Sequence, residues 1–430
     1  MLTARAKTSG FSSMAVIRTG QAIAYLGVPL SLVAGPTIES IFGVIVCLYL
    51  VAGFGLVALL RGAVAPRIVV EIGYVFLTCY VVLAAVEVIN GDLLRHPRPL
   101  TADFFGTYFV LLAFPFFVIG LRGARVDLRH FEFAIIATIT AAACWAVFQY
   151  LFMAVERPGG FNGLNPITFG MIVLLWSLFL LSCALRERSA DWLRLAAALL
   201  ALVPIALSGS KIVWACALVG YPIVFLWWAI AWRRWLTLVA AVAASVVVLL
   251  AAFQLDFIQS RILEVVSDAR AVVFSGDTSG GTLGIRFAAW VGGLHAFAAQ
   301  PIVGFGLADA KIAALTYRPD TVSDFSYLWH LHNQYIQHLV SFGIFGGLFL
   351  LALLVTFVYV AIRADDAPTR RVAIAVPVVI SLYMCVELVF PRTPLYGTIF
   401  YLLALTILPV VTSEDEKTVA SVHVRLREAA

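Results

Sequence analysis

Two residues between 283 and 350 have side chains suited to chemistry on a charged substrate. Arg286 lies in a helical pattern, and Trp290 follows four residues later on the same face. His332 stands beside Asn333 at the start of a long apolar run. Imidazole accepts a proton near neutral pH, and arginine holds a charge that cannot be lost. The pattern indicates a site at the edge of a bilayer, acting on something that arrives through lipid.

The rest of the chain predicts an all-α polytopic membrane protein. Hydrophobic residues make up 62% and charged residues 12%, with a mean hydropathy of +1.00, which excludes an ordinary soluble domain. Apolar runs of about 20 residues recur, each long enough to cross a bilayer core. We predict about 12 transmembrane helices, at 16–35, 39–60, 69–90, 104–121, 131–154, 164–185, 192–208, 211–231, 235–254, 333–361, 372–390 and 395–411.

Basic residues in the connections predict the orientation. With a cytoplasmic N-terminus, 19 of the 29 lysines and arginines fall in cytoplasmic segments, so both termini are expected inside. The long, partly helical connection between helices 9 and 10 is then outside. We therefore divide the chain into helices 1–9 (1–253), this outer helical loop (254–332), helices 10–12 (333–411) and a cytoplasmic tail (412–430).

Ten cations remain on the predicted outer side, several in short connections where a neutral residue would insert more easily. Lys211 ends the sequence SGSK at the mouth of a span, Arg157 lies in ERPGGFNGLNP, and Arg318 lies in the long loop. Snorkelling toward lipid headgroups explains any one of them. As a group they predict a cationic face for an anionic, lipid-borne substrate.

Two further features place the chemistry at this outer interface. Pro301 ends a helical pattern, and Gly304 and Gly306 after it allow a close backbone approach, to a ligand or within a tight turn. No predicted span carries an ionisable residue near its middle, whereas ion-coupled carriers usually need one there.

Three blocks of sequence, considered together, resemble the O-antigen ligase superfamily. Arg286 and Trp290, followed by PIVGFG (301–306) and HNQYIQHLVSFGIFGG (332–347), are similar to its signature domain. RPGGFNGLNPITFG (157–170) is similar to its R-x-x-G…N-P loop, and SGSK (208–211) stands where these proteins usually carry a serine followed by a basic residue. The superfamily includes O-antigen ligases, O-antigen and exopolysaccharide polymerases, and protein O-oligosaccharyltransferases.

The resemblance implies a bacterial inner-membrane glycosyltransferase in lipopolysaccharide or exopolysaccharide biosynthesis. Such an enzyme moves a glycan en bloc from undecaprenyl pyrophosphate to an acceptor hydroxyl on the periplasmic face, with no metal or cofactor. His332 would be the base and Arg286 would stabilise charge growing on the pyrophosphate. Membrane lipids are expected partners, and nucleic acid is not. The predicted substrate-binding residues are Arg157, Lys211, Arg318, Asn333, Trp290, Gly304 and Gly306.

Several alternatives stay open. Asp320 and Asp324 could replace His332 as the base, and His330 and His338 are weaker candidates. Many ligases carry arginine at the position of Lys211, and lysine lacks the bidentate fork that clamps a pyrophosphate. The acceptor is lipid A–core for a ligase and a second lipid-linked glycan for a polymerase. We favour the ligase, because the blocks match the domain named for that activity.

A transporter or flippase for lipid-linked oligosaccharides is the rival class. Such carriers usually show repeat-related halves and charges that line a central cavity. The sequence shows neither a convincing internal repeat nor a charge near the middle of a predicted span. An enzyme is therefore the favoured interpretation.

Overall fold

The structure is a computed structural model that describes residues 14–32, 44–91, 99–161, 163–240, 254, 256–278, 281–390 and 393–428. Most of the predicted span at 235–254 lies outside these residues, as do Arg95, Arg98 and Arg392 of the predicted outer cations. Within the described ranges the ordered elements are helices. They are α1 (Met14–Leu30), α2 (Val44–Leu60), α3 (Arg67–Asn90), α4 (Pro99–Gly123), α5 (Leu128–Phe152), α6 (Pro166–Ala184), α7 (Trp192–Leu200), α8 (Leu202–Leu207), α9 (Lys211–Ala231), α10 (Asp256–Ser275), α11 (Gly281–Ala299), α12 (Ala310–Thr316), α13 (Gln334–Phe342), α14 (Ile344–Arg363), α15 (Ala367–Met384) and α16 (Thr393–Glu428).

Eight helices of the described chain are long and apolar enough to cross a bilayer. They are Arg67–Asn90, Phe104–Gly123, Leu128–Phe152, Pro166–Ala184, Lys211–Ala231, Ile344–Arg363, Ala367–Met384 and Pro394–Glu414. Val44–Leu60 and Trp192–Leu207 are shorter apolar helices. The prediction of an all-helical, multi-pass membrane protein is therefore confirmed. The total of 12 helices, the orientation and the division into domains stay predictions.

Helix α6 occupies the centre of the bundle. Its sequence is apolar on every side, and its residues from Thr168 to Ala184 are all buried. A helix without a polar face is stable only when other helices surround it. The helix begins at Asn165, whose side chain accepts a hydrogen bond from the Ile167 amide, and Pro166 occupies the first turn. Helix α6 therefore connects the two ends of the bundle through its core.

The prediction of one continuous span over 333–361 is wrong. Helix α13 ends at Phe342, and α14 begins at Ile344 after Gly343, whose φ of 60° and ψ of −148° suit glycine alone. A Cβ atom at Gly343 would meet the Ile302 carbonyl oxygen at 2.2 Å. The chain therefore breaks where the loop after Pro301 packs against it, and α13 is a short helix separate from the span that follows.

A second, smaller hydrophobic core holds α11, α12 and α13 together. It includes Ala288 of α11, Ala314 of α12 and Phe325 of the following loop. Leu331 and Ile336, on either side of the start of α13, are buried in the same cluster. The segment 254–332 is thus partly helical, and much of it is packed onto α13 rather than loose. This small core fixes the chain on both sides of His332.

Candidate functional site

A buried carboxylate, Glu387, connects the two residues predicted to be catalytic. Its Oε1 lies 3.3 Å from His332 Nδ1, and its Oε2 lies 3.6 Å from Arg286 Nη2. The Glu387 side chain is only 3% exposed, whereas those of His332 and Arg286 are 19% and 23% exposed. Both contacts are ion pairs without a well-aligned hydrogen bond. Glu387 therefore brings together an imidazole and a guanidinium that both retain access to solvent.

The surroundings of Glu387 keep it ionised. Burial works to raise the pKa of its carboxyl group, because a low-dielectric interior disfavours charge. The contact with His332 and the charges of His332, Arg286 and His330 outweigh burial and lower the pKa to about 2. Glu387 is thus a fixed negative charge at any physiological pH. A carboxylate in this position orients an imidazole and stabilises its protonated form.

Three side chains hold the segment that carries Glu387. Asn333 Nδ2 donates to the Cys385 carbonyl at 2.7 Å, and Arg286 Nη1 donates to the Val386 carbonyl at 3.2 Å. Gln334 Oε1 accepts hydrogen bonds from the amides of residues 389 and 390, at 2.7 and 2.8 Å. The segment 385–390 is therefore ordered although it is not helical. The predicted span 372–390 is wrong at this end, since α15 stops at Met384.

The backbone of His332 adopts a conformation that residues with a side chain rarely take. Its φ is +48°, in the left-handed region, at a cost of about 1–3 kcal/mol. Leu331 is fully buried before it, and Asn333 caps α13 after it through a 3.0 Å bond to the Ile336 amide. The His332 amide donates to His330 Nδ1 at 3.2 Å. This turn directs Nδ1 toward Glu387 and leaves Nε2 as the ring nitrogen available to a substrate.

A second group of charges surrounds Lys211. Its Nζ is 3.1 Å from Glu264 Oε2 of α10, and the same oxygen lies 3.1 Å from Arg261 Nη1. Arg157 donates from Nε to the carbonyl oxygen of Ser208, three residues before Lys211, at 3.1 Å. The structure thus joins the two upstream sequence blocks, RPGGFNGLNP and SGSK.

Arg157 links the two groups electrostatically. Burial lowers its pKa, and the positive charges of Arg261 and Arg286 lower it further, opposed by Glu264. Arg157 is therefore close enough to both groups to be repelled by each. An array of like charges that repel one another is unfavourable without an anion between them, and it is suited to a substrate that carries several negative charges.

Comparison with known proteins addresses the same region. Residues 196–351 match the family model described as O-Antigen ligase. This match supports the O-antigen ligase superfamily. No curated protein matches it. The matched ligase segment contains Lys211, Arg261, Arg286 and His332, whereas Glu387 follows it along the chain. The family implies an enzyme of the glycosyltransferase type that acts on lipid-linked glycans.

The remaining predicted ligase residues have structural contacts of their own. Trp290 packs against the small core, and Arg318 pairs with Asp324 at 2.9 Å. Gly304 and Gly306 have positive φ, and the amide of Gly306 donates to a carbonyl at the end of α13. A Cβ atom at Gly304 would lie 2.5 Å from the Val340 carbonyl oxygen. Backbone conformation and packing therefore explain why both positions are glycine. Asn333 also has a structural role, because it caps α13. Contact of these residues with substrate stays a prediction.

His330, His332 and Glu387 also present a possible ligand set for a metal ion. One ligand atom from each lies within 4.8 Å of the others, and two histidines with one carboxylate form a familiar zinc set. The Arg286 guanidinium, 3.6 Å from the same carboxylate, competes with a cation for it. The charge of the surroundings therefore fits an anionic ligand better than a divalent cation.

The alternative bases are less well placed. Hydrogen bonds from Ser326 and the charge of Arg318 lower the pKa of Asp324, which makes it a weaker base. Both ring nitrogens of the buried His338 have partners, Tyr108 Oη at 3.1 Å and Gln334 Nε2 at 2.7 Å. Asp320 is exposed. Unlike Asp320, Asp324 and His338, His332 combines a carboxylate partner with a ring that is partly exposed.

Sequence reasoning missed the roles of Glu387 and Glu264. The sequence VELVF places Glu387 at the end of an apolar run, where an isolated acid indicates the end of a span. Glu264 lies on an amphipathic helix with several other charged residues. The one available signal was the single acid inside an otherwise apolar stretch close to a predicted cation-rich face.

Proposed function

We propose that this protein transfers a glycan en bloc from undecaprenyl pyrophosphate to an acceptor hydroxyl. The reaction takes place at the end of the bundle that holds His332 and Arg286, and this end faces the periplasm. The observation that carries the proposal is the Glu387 carboxylate shared by an accessible imidazole and an accessible guanidinium. The first group suits an acceptor hydroxyl, and the second suits a pyrophosphate.

His332 is the general base of the proposed reaction. Its Nε2 accepts the proton of the acceptor hydroxyl as that oxygen bonds to the anomeric carbon of the glycan, and the bond from this carbon to the pyrophosphate oxygen breaks. The imidazolium formed is stabilised by the adjacent Glu387 carboxylate. Positioned proton transfer of this kind contributes on the order of 10²- to 10⁴-fold in rate.

The arginines act on the leaving group. Negative charge grows on the pyrophosphate as the glycosidic bond breaks, so cations near it stabilise the transition state more than the ground state. Arg286 shares the Glu387 carboxylate with the proposed base, and the charge of Arg286 acts on Arg157. Lys211 and Arg261 extend the cationic surface and would bind the distal phosphate.

We assign the ligase reaction, with lipid A–core as the acceptor, on the strength of the family description. Polymerisation of O-antigen or exopolysaccharide by the same chemistry is the alternative. Deletion of the gene separates them. We expect full-length glycan chains to accumulate on undecaprenyl pyrophosphate, as sized by gel electrophoresis of extracted lipid. Accumulation of single repeat units would establish a polymerase, and no accumulation would refute both.

Purified protein tests the reaction itself. We expect it to transfer glycan from undecaprenyl pyrophosphate in detergent without nucleotide sugar, and to do so in the presence of EDTA. Loss of activity on chelation that zinc restores, together with a similar loss in His330→Ala, would show instead that His330, His332 and Glu387 hold a metal ion.

Substitution Glu264→Gln tests the outer cations. The carboxylate of Glu264 neutralises Lys211 and Arg261, so an incoming pyrophosphate must displace it. Exposed pairs of this kind contribute about 0.2–1 kcal/mol each, and their loss should lower the KM for the donor by roughly threefold at low salt. The effect should shrink at high salt, because ions screen exposed charges.

Asp320→Asn is the matched control, since it removes an exposed carboxylate from the same segment without touching Lys211. A KM that rises in Glu264→Gln, or that falls equally in both variants, would contradict a donor site at Lys211.

A further inference from the structure

A cavity of about 590 Å³ lies at the end of the bundle opposite to His332. It is bordered by the turn between α4 and α5, the C-terminal end of α6, the N-terminal end of α15 and the middle of α16. Helix α6 begins near Arg157 and ends at the cavity, and α15 begins there and ends before Glu387. The cavity is therefore separate from the proposed active site, with the length of the bundle between them.

The lining of the cavity is amphipathic. Its apolar part includes Phe179, Leu405 and Leu408. Three arginines line the same space, Arg122, Arg125 and Arg186. Guanidinium groups bind phosphate oxygens through two parallel hydrogen bonds, and basic pockets between membrane helices bind anionic lipid headgroups. The lining thus combines a phosphate-binding edge with an apolar surface of the kind that an acyl chain contacts.

Two carboxylates also line the cavity, and both serve the local fold. Asp366 caps α15 by accepting a hydrogen bond from the Thr369 amide at 2.9 Å. Asp365 accepts a hydrogen bond from the Ser413 hydroxyl and so ties the connection before α15 to α16. These acids therefore have structural partners, and the three arginines give the lining a net positive charge.

We propose that this cavity binds an anionic phospholipid. The phosphate lies among Arg122, Arg125 and Arg186, and the first part of one acyl chain follows Phe179 and Leu408. The rest of the lipid lies in the bilayer beside the bundle. A soluble phosphate would use the arginines but would leave the apolar part of the cavity unused, so the lining favours a lipid.

Two substitutions remove charge with little damage to the fold. Arg125 is exposed and has a φ of +51°, a conformation that asparagine tolerates well, so Arg125→Asn removes the charge without adding backbone strain. Arg186 lies 3.5 Å from the buried Glu132, which also pairs with Arg194 at 2.5 Å. Arg186→Gln therefore leaves Glu132 with a cationic partner. Arg129→Asn is the matched control. Arg129 lies in the first turn of α5, close to Arg125 in sequence, and is not among the residues that line the cavity.

The experiment places the purified protein in phosphatidylcholine nanodiscs with a minor fraction of phosphatidylglycerol. Native mass spectrometry then counts retained lipids. We expect selective retention of phosphatidylglycerol, and a loss of roughly fivefold in its affinity for each cavity arginine removed, since each basic residue contributes about 1 kcal/mol. Leu408→Trp, which fills the apolar part, should also reduce retention. Arg129→Asn should leave it unchanged.

Each other result overturns the proposal. Equal retention of phosphatidylcholine would show that charge does not select the lipid. Unchanged retention in the Arg125→Asn/Arg186→Gln variant would place the lipid elsewhere. Displacement of the lipid by inorganic phosphate alone would identify a site for free anions. Melting in neutral nanodiscs, measured beside each titration, separates loss of binding from loss of fold.

Discussion

His332→Asn is expected to abolish glycan transfer and to leave donor binding nearly unchanged. The imidazole acts on the acceptor, so its removal costs on the order of 10²- to 10⁴-fold in rate without removing a cation from the pyrophosphate. Asparagine is the sharpest replacement, because it tolerates the left-handed backbone at this position. Initial rates with purified protein give the first quantity, and titration with the lipid-linked donor gives the second.

His295→Asn is the matched control. His295 is exposed on α11 of the same segment, and it should keep full activity. Full activity of His332→Asn would remove the base from this site and direct attention to Asp320. A large loss of donor affinity in His332→Asn would mean that the imidazole binds the donor and not the acceptor.

Glu387→Gln is expected to lower the transfer rate by at least about 10²-fold, since an amide cannot stabilise the imidazolium as a carboxylate does. It also leaves Arg286 and His332 without their common counter-ion. The pH–rate profile should change, because the charge beside the proposed base is gone, and a purely structural defect would not move that profile. Asp324→Asn, which removes another carboxylate from the segment 254–332, should show neither effect.

The same substitution has a consequence for stability. The native pKa of Glu387 is about 2, below the usual 4.5. Its ionised form therefore contributes stability above pH 4.5, and this contribution is lost as the pH falls toward 2. The melting temperature of the wild type should exceed that of Glu387→Gln at neutral pH, and the difference should shrink below about pH 4.5. A constant difference across this range would contradict the charge assigned to Glu387.

The sequence was most informative where residue type determines the structure. Long apolar runs predict spans because a bilayer requires them, and eight such helices are present in the described chain. The break at Gly343 was not predicted, because the apolar run continues across it. The break is required because the loop after Pro301, which is distant in the sequence, packs against Gly343.

The candidate site was predictable in part for a similar reason. Arg286 and His332 attract notice by their chemistry alone, since few other residues hold phosphate or accept a proton near neutral pH. Their shared counter-ion is Glu387, which follows α14 and α15 in the sequence. Only the folded chain brings Glu387 next to Arg286 and His332. Asn333 shows the converse, because a polar residue of the motif here caps a helix and holds the segment 385–390.

The left-handed backbone at His332 sets a limit on how this protein can be made more robust. A glycine at this position would relieve the strained dihedral, but it would leave the buried Glu387 carboxylate without its imidazole partner. The same change would delete the imidazole. Backbone strain, ion pairing and turnover therefore meet at a single residue, and a search for heat-resistant variants at position 332 must set the relieved strain against the lost partner of Glu387.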